Sequence, residues 1–265
     1  MVIDIITYNG EIDLLELRLN ILYPYVDIFH IVEFTETFSG EKKNIQFMKY
    51  EDFHRLQNQK WWDKLRFHIH KEEDYIKYKE LAENSPNAKG AEHWRREFMM
   101  KESIKDCLTH LKDNDIVFIG DCDEIWHPAW LEEIIKKIPV KLKLNVYTYY
   151  LNNRSSEGFW GTLVSTYGYL KDKCLNHLRS NSNKKMRDPF EKGWHFTSMH
   201  HQLAKKLTDS YTEEDYAHPS VLNDLQNNIE NSRDFLGRNF TYKVDESQWP
   251  DYLKENRSKY LHLLK

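Results

Sequence analysis

Cysteine is scarce in this chain, and the few present make no framework. Cys107, Cys122 and Cys174 are an odd set with no CxxC spacing. That argues against a disulfide scaffold or a zinc site and fits a reducing compartment. Long apolar runs are missing too, so no segment is expected to span a membrane. The opening MVIDIITY turns acidic too soon for a secretory signal, and a cytoplasmic location is expected. No Gly/Ser-rich or Pro-rich linker, repeat or low-complexity tract interrupts the 265 residues, so one domain is expected over 1–265. The formal net charge of −4 excludes a general nucleic-acid binder, although it leaves room for a local basic patch. Charged residues at 30% and hydrophobic ones at 40% describe a soluble globular protein rather than a disordered one. Aromatics are plentiful at 14%; such rings suit sugars, but most rings in any chain fill its core.

The chemistry concentrates in residues 115–130, DIVFIGDCDEIWHPAW. Ile116, Val117, Phe118 and Ile119 form the short apolar run of a strand buried on both faces. Asp121, Asp123 and Glu124 follow at once, and Pro128 opens a helical pattern. Ligands of open α/β sheets collect at the carboxyl ends of strands. Residues two apart in extended chain point the same way, so Asp121 and Asp123 can aim both carboxylates at one point. Two such carboxylates repel unless a cation lies between them, and oxygen ligands suit magnesium or manganese. A strand-end acid also caps helices, so the motif alone leaves both readings open. It is not a calcium-binding EF-hand loop: counting from Asp121, the fifth and sixth positions are Ile125 and Trp126, where an oxygen ligand and glycine are needed.

Around that stretch the chain alternates strand and helix patterns. Strands are expected at 2–8, 27–34, 65–70, 142–151 and 162–169, with a short extended piece at 193–196. Helices are expected at 11–22, 91–111, 131–138, 203–208, 219–235 and 250–264. Residues 71–90 read as a polar loop with one helical turn, 152–161 (NNRSSEGFWG) as a second polar loop, and 179–189 as exposed and mobile.

Several separated stretches together resemble glycosyltransferase family 17, typified by the β-1,4-N-acetylglucosaminyltransferase that adds bisecting GlcNAc. These are TYNGEIDLLELRLNILYPYVDIFHIVEFTETFSG, the Trp94-x-Arg96-Glu97 helix, DCDEIWHP, Gly161-Thr162, GWHFTS, and DFLGR followed by SQWPDYLKENRSKYLHLL. The ending is similar to bacterial-type members. The family often has proline where this chain has Trp126, and its animal members carry a membrane anchor and luminal disulfides.

The resemblance implies a GT-A-like fold: a Rossmann-related α/β sandwich with a mixed, mostly parallel sheet flanked by helices. It implies a donor-binding part over about 1–140 and an acceptor-binding part over about 141–265. The implied reaction is metal-dependent, inverting transfer of a sugar, with UDP-GlcNAc as first donor, to a hydroxyl of a glycan or other acceptor. The implied cofactor is Mn2+ or Mg2+, with Asp123 as direct ligand, Asp121 beside it and His195 as a further ligand. Thr7, Tyr8, Asn9 and Glu11 fall where nucleobase and ribose lie in such folds, and Glu33 reaches donor or core. Arg96, Arg154, Arg179 and Lys184 are candidate diphosphate contacts, and Trp160 suits stacking on a sugar ring. An inverting displacement needs a carboxylate base, for which Glu157 ranks first, ahead of Glu97, Glu124 and Asp215. Two other classes compete. A metal-dependent phosphohydrolase would release phosphate from simple phosphomonoesters. A non-catalytic sugar-binding module would bind glycan without metal or turnover.

Overall fold

The computed structural model describes residues 1–57, 59–180 and 183–265. Its strands are β1 (Val2–Thr7), β2 (Ile28–Phe34), β3 (Leu65–His70), β4 (Ile116–Asp121), β5 (Glu124–Trp126), β6 (Val140–Thr148), β7 (Asn153–Thr166), β8 (Arg187–Thr197) and β9 (Tyr242–Val244). They form one mixed sheet in the order β3-β2-β1-β4-β7-β6-β8-β5, with β9 on β7. The first four strands of that order run parallel, whereas β7 is antiparallel to β4 and to β6. After β2 and β3 build outwards from one side of β1, the chain returns to add β4 on the other. That reversal is a topological switch point, and a crevice opens there beyond the carboxyl ends of β1 and β4. Thr7 and Asp121 are register partners at that edge.

Alternation along the central strands sorts side chains to two faces. Ile3 and Ile5 of β1 and Val117 and Ile119 of β4 join a core with Phe98 and Met100 of the helix Glu92–Ser103. Ile6 and Phe118 face the other way, towards Leu15 and Leu19 of the helix Ile12–Leu22. Each such side chain, fully withdrawn from water, contributes about 1.5–3 kcal/mol. A smaller cluster joins Leu203 and Leu207 of the helix Leu203–Ser210 to Leu225 and Ile229 of the helix Pro219–Glu230. It fixes the helix Leu203–Ser210, which carries Lys206, against the sheet.

His30 of β2 is buried, its Nδ1 2.8 Å from His68 Nε2, with the His110 ring 5.2 Å away. Burial, then the neighbouring His68 and His110, push its pKa down to about 3. The unfolded chain binds this proton near pH 6.5 and the folded chain does not, so stability falls as pH drops from about 6.5 towards 3. By pH 4 the loss attributable to this site is expected to be about 3 kcal/mol. Urea denaturation at pH 7 and pH 4 should show it, and His30→Phe should shrink the difference between the two. An unchanged difference in the variant would place the acid sensitivity elsewhere.

Five expectations need correction. Residues 153–161 are not part of a loop but the first part of the 14-residue β7. Asn153 and Ser155 are buried there although polar, and β9 and β6 pair with this part of the strand on either side. Residues 187–189 belong to the 11-residue β8, which is held between β5 and β6 with register shifts around Lys143. The mobile segment expected at 179–189 is therefore not a loop throughout; residues 181–182 lie outside the described residues. The long helix over 91–111 closes at Ser103 and continues as a 3-10 turn, Ile104–Leu108. Residues 71–90 hold several short helical turns rather than one, and the last helix is a short one, Asp251–Glu255, followed by a 3-10 segment.

Candidate active site

The acidic turn after β4 is shaped from below by one buried arginine. Arg18 makes a two-pronged pair with Asp4, at 2.8 and 2.7 Å, and both side chains are fully buried. The same guanidinium donates to the main-chain oxygens of Asp121, at 3.0 Å, and Glu124. Carbonyls of an irregular turn are thereby satisfied, that of Glu124 with help from Thr162 Oγ1 at 3.4 Å. Above the turn, glycines make room for Glu124. A Cβ on Gly120 would lie 2.8 Å from Glu124 Oε2, and one on Gly161 would lie 2.7 Å from its Cδ. Thr162 of β7 donates to the same carboxylate at 3.3 Å.

Cations from three distant segments meet the three acids. Asp121 accepts a hydrogen bond from Thr7 Oγ1 at 2.8 Å and has Lys101 Nζ at 3.5 Å. Arg179, at the end of the helix Leu175–Arg179, lies 3.4 Å from Asp121 and 3.5 Å from Glu124. These distances exceed those of tight ion pairs, so the guanidinium bridges two carboxylates loosely. Asp123 has Lys206 Nζ at 2.9 Å from Oδ2 and His195 Nε2 at 3.5 Å from Oδ1. Burial pushes Asp123 up, but Lys206 and His195 overcome it and hold the carboxyl well below its usual range. Asp121 is likewise held low against burial, by Lys101 and Arg179. Glu124 moves the other way: burial, then the charge of Asp121, raise its pKa. Glu11 is also raised, by burial, with Lys206 opposing.

A cleft with about 650 Å³ of empty space opens at this point, lined by Thr7, Tyr8, Asn9, Glu11, Asp121 and Asp123 among others. Lys101 and Lys206 line it too. A second, wider cavity holds Glu97, Glu124, Trp160 and Arg179, and shares Lys101 and Asp121 with the first. The structure thus brings together Thr7, Tyr8, Asn9, Glu11, Asp121 and Asp123 around one crevice, with Glu97 and Trp160 in the adjoining one; His195 reaches Asp123 but does not itself line either.

Other expected residues stand elsewhere. Glu33 is fully buried and saturated by Lys43 Nζ at 2.6 Å and the main-chain nitrogens of Gln46 and Phe47, so its role is to hold the loop after β2. Arg96 donates to the Phe38 carbonyl at 2.8 Å and braces the same loop. Glu157 lies on β7 beside Arg238, at 3.5 Å, in a different groove. Five residues separate it from Thr162, roughly 15 Å along a strand, too far for a base acting at the acids. Asp215 faces His93 at 3.4 Å, and Arg154 is spent on Asn145 and Asp245. Glu97 pairs with Lys101 at 2.7 Å rather than with Arg95 or Arg96. Lys101 and Lys206 were missed. Lys101 had a faint signal, its i,i+4 spacing from Glu97; Lys206 had none.

Among the described residues, no group of three or more His, Cys, Asp or Glu side chains is placed to hold a metal ion by itself. Asp123 nevertheless lines the cleft, with His195 Nε2 3.5 Å from its Oδ1. Ions that work on phosphates take one or two protein carboxylates and complete their shell with phosphate and water, so this donor set fits manganese or magnesium in that mode.

The sheet and site define an α/β enzyme with an acidic, lysine-rimmed crevice at its switch point. The model of glycosyltransferase family 17 matches residues 1–265, and the chain belongs to that family. It is a glycosyltransferase, built on one mixed sheet flanked by helices. No curated protein matches it. Among solved structures it is similar to the galactosyltransferase LgtC in complex with donor and acceptor sugar analogues, at 9% identity and a TM-score of 0.35, covering 71% of this chain and 66% of that one. It is also similar to mouse xyloside xylosyltransferase 1 in its apo form, at 10% identity and 0.35, covering 79% and 76%. No helix among the described residues is long and apolar enough to cross a membrane.

Proposed function

We propose that the chain moves a sugar from a nucleotide-sugar donor, UDP-GlcNAc in first place, to a hydroxyl of a glycan or similar acceptor, with inversion at the anomeric carbon. The carrying observation is the pair Asp121 and Asp123 at the switch-point crevice, rimmed by Lys101, Arg179 and Lys206. Nucleobase and ribose lie along Thr7, Tyr8, Asn9 and Glu11, and the diphosphate lies over the acids. Residues of about 1–140 form most of the donor side, and those of about 141–265 most of the acceptor side, within one domain.

A departing nucleoside diphosphate gathers negative charge on its phosphate oxygens. Lys101, Arg179 and Lys206 are placed to share that charge in a partly dry crevice, where it counts for more than in water. A manganese or magnesium ion held by Asp123, with His195 beside it, supplies further positive charge when bound. Asp121 holds Lys101 and Arg179 near the leaving group. Glu97, which faces the second cavity beside Trp160, takes the acceptor's proton; Trp160 stacks on a sugar ring.

The test is nucleotide release from a panel of UDP- and GDP-sugars, with acceptor mixtures, with and without manganese. Metal-dependent release from one UDP-sugar is expected. Glu97→Gln should cut turnover by about 10²–10³-fold with donor binding nearly unchanged. Phosphate release from simple monoesters, with no sugar transfer, would overturn the reading.

A further inference from the structure

Both oxygens of Asp123 are already engaged: Oδ2 by Lys206 at 2.9 Å, Oδ1 by His195 at 3.5 Å. Lys206 also donates to Thr197 Oγ1 at 3.2 Å, but Asp123 is its nearer and only charged partner within ion-pair distance among the described residues. The lysine side chain is not locked in. It is 39% exposed, and it lines the cleft together with Lys101, Asp121 and Asp123. A cation entering the cleft alone meets an ammonium on the carboxylate it needs. A diphosphate entering alone meets two lysines, and Lys206, being partly exposed, is free to turn from Asp123 to a phosphate oxygen.

We infer that Lys206 is a positioning residue that sets the order of binding: it guards Asp123 in the empty site, transfers to the donor's diphosphate, and so uncovers the carboxylate for a divalent cation. The inference rests on the donor reading above and adds an order of events to it. Nucleotide binds first, without metal. The cation binds appreciably only afterwards, because the phosphate both removes the competing ammonium and offers oxygen ligands. By linkage, each ligand strengthens the other by the same factor.

Removing the lysine separates these two contributions. In Lys206→Met, Asp123 loses its competitor and the phosphate loses a partner. Metal binding to the free protein should therefore strengthen, nucleotide binding without metal should weaken, and the coupling between them should shrink. A residue that only supported the fold would weaken both. Lys206→Arg, which keeps the charge, should stay near the unsubstituted protein.

Manganese affinity, read from the electron paramagnetic resonance signal of the free ion, and UDP affinity, read by calorimetry, are measured on the full chain with each partner absent and present. GDP serves as a second nucleotide arm. The expected results are UDP binding without manganese, manganese affinity rising about tenfold or more when UDP is present, and manganese affinity of the free protein rising about tenfold in Lys206→Met. If a nucleotide binds but Lys206→Met leaves manganese affinity of the free protein unchanged or lower, the inference fails while the donor reading stands. If neither nucleotide binds under any condition, the donor reading fails and takes the inference with it. Should Lys206→Met lose its native circular dichroism, the unsubstituted protein still decides: equal manganese affinity with and without UDP overturns the order.

Discussion

Asp123→Asn is expected to reduce transfer by about 10³-fold, close to 4 kcal/mol of transition-state stabilisation, while the protein stays folded. The reason lies in what surrounds the carboxylate. Asp123 is the one acid with both Lys206 and His195 on it, and it is 5% exposed at the floor of the cleft. An amide keeps the size and can still accept from Lys206, so packing is preserved. It cannot supply the negative charge that a divalent cation requires, and the site becomes more positive. Nucleotide affinity without metal should therefore hold or rise, and the response of the rate to manganese should vanish. Asp121→Asn should cost less at the metal and more at the diphosphate, since Asp121 holds Lys101 and Arg179 instead. Rates measured with and without manganese for both variants would show the contrast. An Asp123→Asn protein that kept more than about a tenth of the activity would remove the acid from the mechanism.

That expectation is half legible in the sequence. The strands β1, β2 and β4 announce themselves as largely apolar runs, because strands covered on both faces have no polar side to show, whereas the edge strand β3 (LRFHIH) is partly exposed. The acids after β4 follow from the same logic, since the carboxyl end of a central strand is where a ligand can enter. β7 and β8 were hidden for a physical reason. Gly158, Gly161 and the polar residues before them look like turn chemistry, yet Gly161 is there because Glu124 packs against its backbone. Pro189 and the charges around it break the strand pattern of β8, whose pairing is itself irregular at that end. The cations were harder still. Lys206 lies 83 residues from Asp123, on a helix whose lysines look like a solvated face. Arg179 was one of four basic candidates that composition could not rank. Glu157 stands in a different groove because 153–161 is a paired strand, which denies its side chain the freedom a loop would give.

The largest effect on stability is expected from Arg18→Leu, at about 3–5 kcal/mol by urea denaturation. Two terms add. Asp4 would be left fully buried without its counter-charge, and the main-chain oxygens of Asp121 and Glu124 would each lose a charged donor. Removing both charges tests which term matters where. Asp4→Leu combined with Arg18→Met takes away the stranded carboxylate, and buried pairs replaced by apolar side chains often recover most of the lost stability. In that double variant the Asp121 carbonyl loses its charged donor and the Glu124 carbonyl keeps only Thr162 Oγ1 at 3.4 Å, so Asp121 and Asp123 should lose their fixed spacing even in a stable protein. Recovery of stability without recovery of nucleotide affinity is the expected pattern. It would mean that this arginine was placed for the geometry of the acids as much as for the core. A single Arg18→Leu costing under about 1 kcal/mol would show that the turn holds its shape unaided.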